Sequence, residues 1–176
     1  MEILKGFKKF WNFAGNSIIA IGNFDGVHLG HQKILRFLSR TADRKNLYPL
    51  VLTFSPHPEK ILGKKRTKMI QTLSQRASEI KKFGIRTVLV VPFSKKFRSL
   101  SSRDFVEEVI VKALRAKAVV IGEGFRFGKN RKGNTSLLRR LALRYKFQVY
   151  SIPPLKKNGK TVSSSLIRRL LERGEV

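Results

Sequence analysis

The sequence predicts an α/β domain in which a parallel, five-stranded sheet carries helices on both faces. Three observations predict it: short β-branched runs recur at the spacing of βαβ units, some of these runs are apolar throughout, and helical periodicity lies between them. The runs are Ser17–Ile21, Pro49–Thr53, Arg86–Val91, Lys117–Ile121 and Phe147–Ile152, and they begin 30 to 37 residues apart, the length of a strand, a crossover helix and their loops. Stretches such as TVLVVPF and VVIG have no polar alternation, as strands covered on both faces require. Between them, Ile34, Leu35 and Leu38 share one helical face. Phe105, Val106, Val109 and Ile110 form another after Ser102 as a cap, and Leu137, Leu138, Leu141 and Tyr145 a third. Such a sheet takes ligands at the carboxyl ends of its strands. A chain of 176 residues suits one ordinary domain, read here as 1–176. There is no internal repeat, low-complexity stretch or clear linker, and Gly63–Lys68 reads as a mobile basic loop.

Composition narrows the chemistry. The 41% hydrophobic content fits a packed domain rather than a disordered tail. With no cysteine, disulfide frameworks, thiolate metal sites and cysteine nucleophiles are excluded. The first residues, Met1 to Ser17, have no continuous apolar stretch and no small-residue cleavage pattern, and no segment reaches the length of a membrane span. A cytoplasmic protein without membrane contact is expected. The charge stands out: 38 Lys+Arg against 11 Asp+Glu give a net charge of +27. That excess attracts polyanions of every kind. Because the basic residues are dispersed in pairs and short runs rather than in one block, no sequence-specific nucleic-acid contact is expected.

The densest signal follows the first strand: Gly22-Asn23-Phe24-Asp25-Gly26-Val27-His28-Leu29-Gly30-His31. Gly22 and Gly26 allow a tight turn, and Gly30 allows a ligand to approach the helix start. His28 and His31 are three apart and share a face in the first helical turn. A helix N-terminus favours anions through its free N–H groups and its dipole, and two imidazoles there can donate to phosphate oxygens.

This stretch resembles the H-x-G-H signature of the nucleotidylyltransferase superfamily, and the fuller GNFDGVHLGHQ is similar to the version in bacterial FAD synthetases, the adenylyltransferase module of bifunctional riboflavin kinase/FMN adenylyltransferases. Three further segments agree in order. Thr53-Phe54-Ser55-Pro56-His57-Pro58 resembles the family's TFxPHP loop, Gly122 to Gly133 its G-x-[DN]-F-x-F-G loop, and Val162 to Arg168 its SS[TS]xIR motif. The resemblance implies a Rossmann-like nucleotidylyltransferase fold and transfer of AMP from ATP to FMN, giving FAD and pyrophosphate. It implies His28, His31, Ser164 and Arg168 as the catalytic set. Gly22, Asn23, Phe24, Asp25, Gly26, Gly30, Ser163 and Ser165 would surround the nucleotide, and Phe54, Pro56, His57, Pro58, Phe125, Arg126, Phe127 and Gly128 the flavin. No protein-held metal is implied, Mg2+ arriving with ATP.

The later segments also read from their own chemistry. Ser163-Ser164-Ser165 ahead of Leu166 and Ile167 can cap a helix and open its N–H groups to a phosphate, and Arg168 lies four positions beyond Ser164, able to fork onto phosphate oxygens. Pro56 and Pro58 hold His57 in an extended loop. Phe125 and Phe127, interleaved with Arg126, suit either a loop core or the face of a ring system. One departure is Gly124, where the family has Asp or Asn, which removes a side chain able to bond a ligand. Two rivals remain open: the same transfer to another phosphorylated acceptor, and a basic nucleic-acid-binding relative that no longer catalyses. The chain stops at Val176, a few residues past the last motif, so riboflavin kinase is expected as a separate protein or a missing C-terminal module.

Overall fold

Parallel strands buried on both faces need apolar residues at nearly every position, and the central strands of the sheet are built this way. In a computed structural model, which describes residues 2–6, 16–56, 58 and 68–175, the sheet holds six parallel strands in the order β1-β4-β3-β2-β5-β6. These are β1 (Glu2–Lys5), β2 (Ser17–Ile21), β3 (Tyr48–Ser55), β4 (Thr87–Pro92), β5 (Ala118–Gly122) and β6 (Gln148–Ile152). Five match the expected runs to within three residues at either end. The sixth, β1, corrects the expected count. It pairs along β4 from Glu2 opposite Thr87 to Lys5 opposite Val90, and of its four residues only Leu4 is buried. An edge strand with one inward side chain carries too little apolar signal to stand out.

Successive residues of β2 face opposite cores. Ile19 and Ile21 join a core with Leu50, Leu52, Leu89, Phe105 and Leu138. Ile18 and Ala20 join the other with Leu35, Leu38, Val51, Ile80 and Val88. Helices α1 (Leu29–Lys45) and α2 (Leu73–Lys81) cover this second face. The first is covered by α5 (Thr135–Tyr145) and by a π-helix, Phe105–Ala113, which continues from the single turn α4 (Ser102–Asp104). A short α3 (Lys95–Arg98) precedes it, and a two-stranded ribbon, β7 (Lys156–Lys157) with β8 (Lys160–Thr161), leads into α6 (Ser164–Glu172). The expected cap at Ser102 moves by one: Ser101 caps the turn, its Oγ accepting from the Asp104 N–H while the Asp104 carboxylate accepts from the Ser101 N–H. The apolar pattern at Phe105 to Ile110 is helical as expected, but the backbone is wound wider, Leu114 N–H donating to the Val109 carbonyl five residues back (3.0 Å).

Strand order reverses around β2. From β2 the chain moves through β3 to β4 on one side, then crosses to β5 and β6 on the other. The carboxyl ends of β2 and β5 therefore part, opening the crevice where doubly wound sheets hold ligands.

Candidate active site

The loop from β2 to α1 places the two histidines. Gly26 adopts φ +83°, where a side chain is strained, and Asp25-Gly26 form the tip of the turn. Gly22 and Gly30 serve different ends from those expected. A Cβ on Gly22 would lie 3.1 Å from the ring of Phe24, and one on Gly30 would lie 3.2 Å from the imidazole of His28. Each glycine makes room for a ring of the protein. His28 is the N-cap of α1, its Nδ1 accepting from the His31 N–H (3.3 Å). The two imidazoles stack with centroids 3.7 Å apart, which brings them together as the spacing implied. Burial lowers the pKa of His28 against the opposing pull of Asp25. Burial, then His28 and Arg76, pushes His31 down to about 3. Both rings are neutral at pH 7. Since Nδ1 of His28 accepts, its proton resides on Nε2, so the ring presents a single directed N–H.

Asp25 joins this loop to the last helix. It is wholly buried, and its carboxylate accepts from the N–H groups of Ile70 and Gln71 (both 3.1 Å) and from Arg168 Nη2 (2.6 Å). Arg168 Nε donates to the Lys68 carbonyl (2.9 Å), and Ser164 Oγ donates to the Asp25 carbonyl (2.8 Å). Ser163 caps α6 as expected, its Oγ accepting from the Leu166 N–H, and Ser165 is exposed on the first turn. The carbonyl of Val162 lies 3.6 Å from the position of a Cβ on Gly30. The N-termini of α1 and α6 thus converge, each with first-turn N–H groups that have no partner within the helix. His28, His31, Ser164 and Arg168 meet at the carboxyl edge of the sheet.

Beside this junction lies a cleft of about 770 Å³. Gly22, Asn23, Phe54, Pro58, Phe125, Arg126, Phe127 and Gly128 line it, so most residues assigned to the flavin face one space. Its wall is a run of rings, with Phe54, Phe93, Phe97, Phe105, Phe127 and Phe125 in successive contact at 5.4 to 6.1 Å between centroids. The loop from β5 is pinned there by close backbone packing. Gly128 (φ +71°) would place a Cβ 2.6 Å from the backbone of Ser102, and Lys129 N–H donates to the Leu100 carbonyl. Gly124 lines the cleft with open space around it.

Some assigned residues sit elsewhere. The Phe24 ring is 1% exposed and belongs to the core, and the buried Asp25 meets protein groups; neither side chain is available to a nucleotide, because the turn folds both inward. Pro56 is exposed just past β3. His57, and the basic segment through residue 67, lie outside the described residues. Sequence reading missed Phe93 and Phe97, which follow the carboxyl end of β4 and could have been found by the same rule that located the other loops. It also missed Arg76 on α2, buried at 5% exposure, which donates to the Asn23 carbonyl and to Thr53 Oγ1.

A doubly wound sheet with two helix N-termini and a stacked imidazole pair at its switch point is an architecture suited to binding phosphates. Comparison with known proteins narrows this: the family model described as FAD synthetase matches residues 12–166, and the chain belongs to that family. It is 36% identical to a bifunctional riboflavin kinase/FMN adenylyltransferase of Buchnera aphidicola from Acyrthosiphon pisum, covering all of this chain and 56% of that protein. The Bacillus subtilis protein of the same name is 36% identical over 91% of this chain and 51% of its own length, and that of Escherichia coli K12 is 32% identical over 88% and 50%. The chain spans about half the length of the curated relatives it matches. Among solved structures, one described as a macrolide-efflux protein from Streptococcus pneumoniae superposes with a TM-score of 0.88 at 26% identity, over all of this chain and 59% of that one. Pantothenate synthetase from Thermus thermophilus superposes at 0.63 with 13% identity, over 95% and 67%, a likeness of fold. No described helix is long and apolar enough to cross a membrane.

Proposed function

We propose that the chain transfers AMP from ATP to FMN, releasing pyrophosphate and forming FAD. The observation that carries this reading is the junction at Asp25, which brings the imidazole pair and two helix N-termini beside an aromatic cleft of flavin size. The isoalloxazine ring lies against the phenylalanine wall, and its phosphate points toward His28. ATP enters as its Mg2+ complex, the metal riding on the phosphates. An oxygen of the FMN phosphate attacks the ATP α-phosphorus in line. A new O–P bond forms as the bond to the bridging oxygen breaks, and pyrophosphate leaves with that electron pair.

Little covalent chemistry falls to the protein; it positions the phosphates and offsets growing charge. His28 donates from Nε2 to the α-phosphate, with His31 stacked behind it to hold the ring. The first-turn N–H groups of α6 face the β- and γ-phosphates, with Ser164 and Arg168 fixing that turn against the β2–α1 loop. Arg168, already engaged with Asp25 and Lys68, contributes placement of this turn, its own charge being offset by Asp25. The test is single-turnover FAD formation by His28→Ala, His31→Ala and Arg168→Ala. Losing one directed donor to a transition-state oxygen should slow the His28 variant roughly 100- to 1,000-fold with ATP affinity little changed. The Arg168 variant should also weaken ATP binding, because the turn it places faces phosphates already charged in the ground state. Near-wild-type rates in both histidine variants would contradict the reading.

A further inference from the structure

Arg76 projects from α2 toward the carboxyl edge of the sheet. A guanidinium carries five N–H donors, yet among the described residues only Nη1 is used, donating to the Asn23 carbonyl and Thr53 Oγ1. Its Nε is buried and meets no acceptor among the described residues; Asn23 Oδ1 and His31 Nδ1 are likewise buried and unpartnered. Among the described residues the local charges do not balance. Asp25 is the acid that acts on Arg76 among the described residues, and its carboxylate is already held by Arg168 and two backbone N–H groups. Asp25 and Arg168 offset each other, both imidazoles are neutral, and one buried positive charge is left behind the histidines. A buried cation without a full set of partners costs stability, so an anion bound beyond the imidazole pair would offset its charge. The Asn23 carbonyl does not depend on Arg76 alone, since Thr53 Oγ1 also donates to it (3.2 Å).

We infer that Arg76 is a positioning residue of the transfer site: it clamps the Asn23 carbonyl behind the imidazole pair and holds there an unbalanced positive charge that the substrate's phosphates neutralise. This rests on the adenylyl-transfer reading above, and a probe that needs no turnover separates the two. That probe is pyrophosphate, titrated calorimetrically into the full chain as wild type, Arg76→Met and Arg76→Lys, alongside thermal melting and single-turnover FAD formation. Methionine fills the volume without charge, so the ligand-free melting temperature should stay within about 2 °C of wild type or rise. Pyrophosphate affinity and turnover should each fall about 10- to 100-fold, the size of one lost charge-assisted interaction. Lysine should recover most of the affinity but less of the turnover, since one ammonium cannot hold Asn23 and Thr53 together in the same fork. A Met variant that melts many degrees lower while binding pyrophosphate as wild type does would overturn the inference and leave Arg76 a structural residue. If Met prevents folding, the Lys variant decides: lowered turnover with retained affinity supports the role, and wild-type values of both overturn it. Should the wild type make no FAD and still bind pyrophosphate in an Arg76-dependent way, the activity reading fails while the anion assignment stands.

Discussion

At the scale of single residues, the proposed role of the imidazole pair is to offer neutral, directed donors rather than added charge. His28 accepts at Nδ1 and so carries its proton on Nε2, and a side chain on Gly30 would press on its ring. Both histidines have native pKa values below the unfolded value near 6.5. The native protein therefore binds fewer protons than the unfolded chain as the pH falls. Stability from this source is complete above about pH 6.5 and is lost from there toward pH 3, by about 1.4 kcal/mol per pH unit for each histidine still neutral in the native state. Urea midpoints should fall steadily between pH 6.5 and 4, and His28→Ala/His31→Ala should flatten that slope. An equally steep slope in the double variant would place the acid sensitivity elsewhere. The rate of the chemical step should not decline between pH 7 and 9 through these rings, because neither carries a proton to lose there beyond its single N–H.

At the scale of elements, the joint between the first loop and the last helix is the feature on which the site depends. Helix α6 has no fully buried residue, so packing alone holds it weakly. Ser164 and Arg168 tie it to Asp25, which also receives the Ile70 and Gln71 N–H groups that lead into α2. Asp25→Ala removes the buried carboxylate that Arg168 Nη2 and the Ile70 and Gln71 N–H groups share. Breaking a buried pair in this way costs about 3 kcal/mol, or roughly 6 to 12 °C of melting temperature in a domain of this size. Hydrogen exchange should show early loss of protection across α6. A melting temperature within 2 °C of wild type would mean that α6 docks by other means.

The elements also show what a sequence can and cannot reveal. Strands β2 to β5 were legible because burial on both faces writes a nearly unbroken apolar run, and β6 from its β-branched and aromatic residues at the same spacing. The capped start of α6 was legible from its serines, and H-x-G-H from its position at a strand end. Helix α2 was not, since its buried residues are Arg76, Ala77 and Ile80, and an arginine within LSQRASEIKK reads as solvated until the fold shows what surrounds it. The wide winding of Phe105–Ala113 was also hidden, because apolar positions two turns apart look alike in α- and π-helices. The inward fold of Phe24 and Asp25 depends on contacts with residues far along the chain, such as Arg168, which no local pattern encodes.

At the scale of the whole molecule, the reversal of strand order around β2 collects the loops after β2, β3, β4 and β5 at one edge. That single topological fact explains why motifs spread from Gly22 to Arg168 act at one place. A net charge of +27 favours phosphorylated ligands and polyanions in general, with an affinity that salt weakens. The family relationship and the site together make FMN the expected acceptor. The most direct measurement is product identification by chromatography and mass spectrometry after incubating the purified chain with MgATP and, separately, FMN, nicotinamide mononucleotide or riboflavin. FAD and pyrophosphate in equal amounts from FMN, with the other two acceptors unchanged, is the expected result. No FAD from FMN, or a dinucleotide formed instead from nicotinamide mononucleotide, would contradict it.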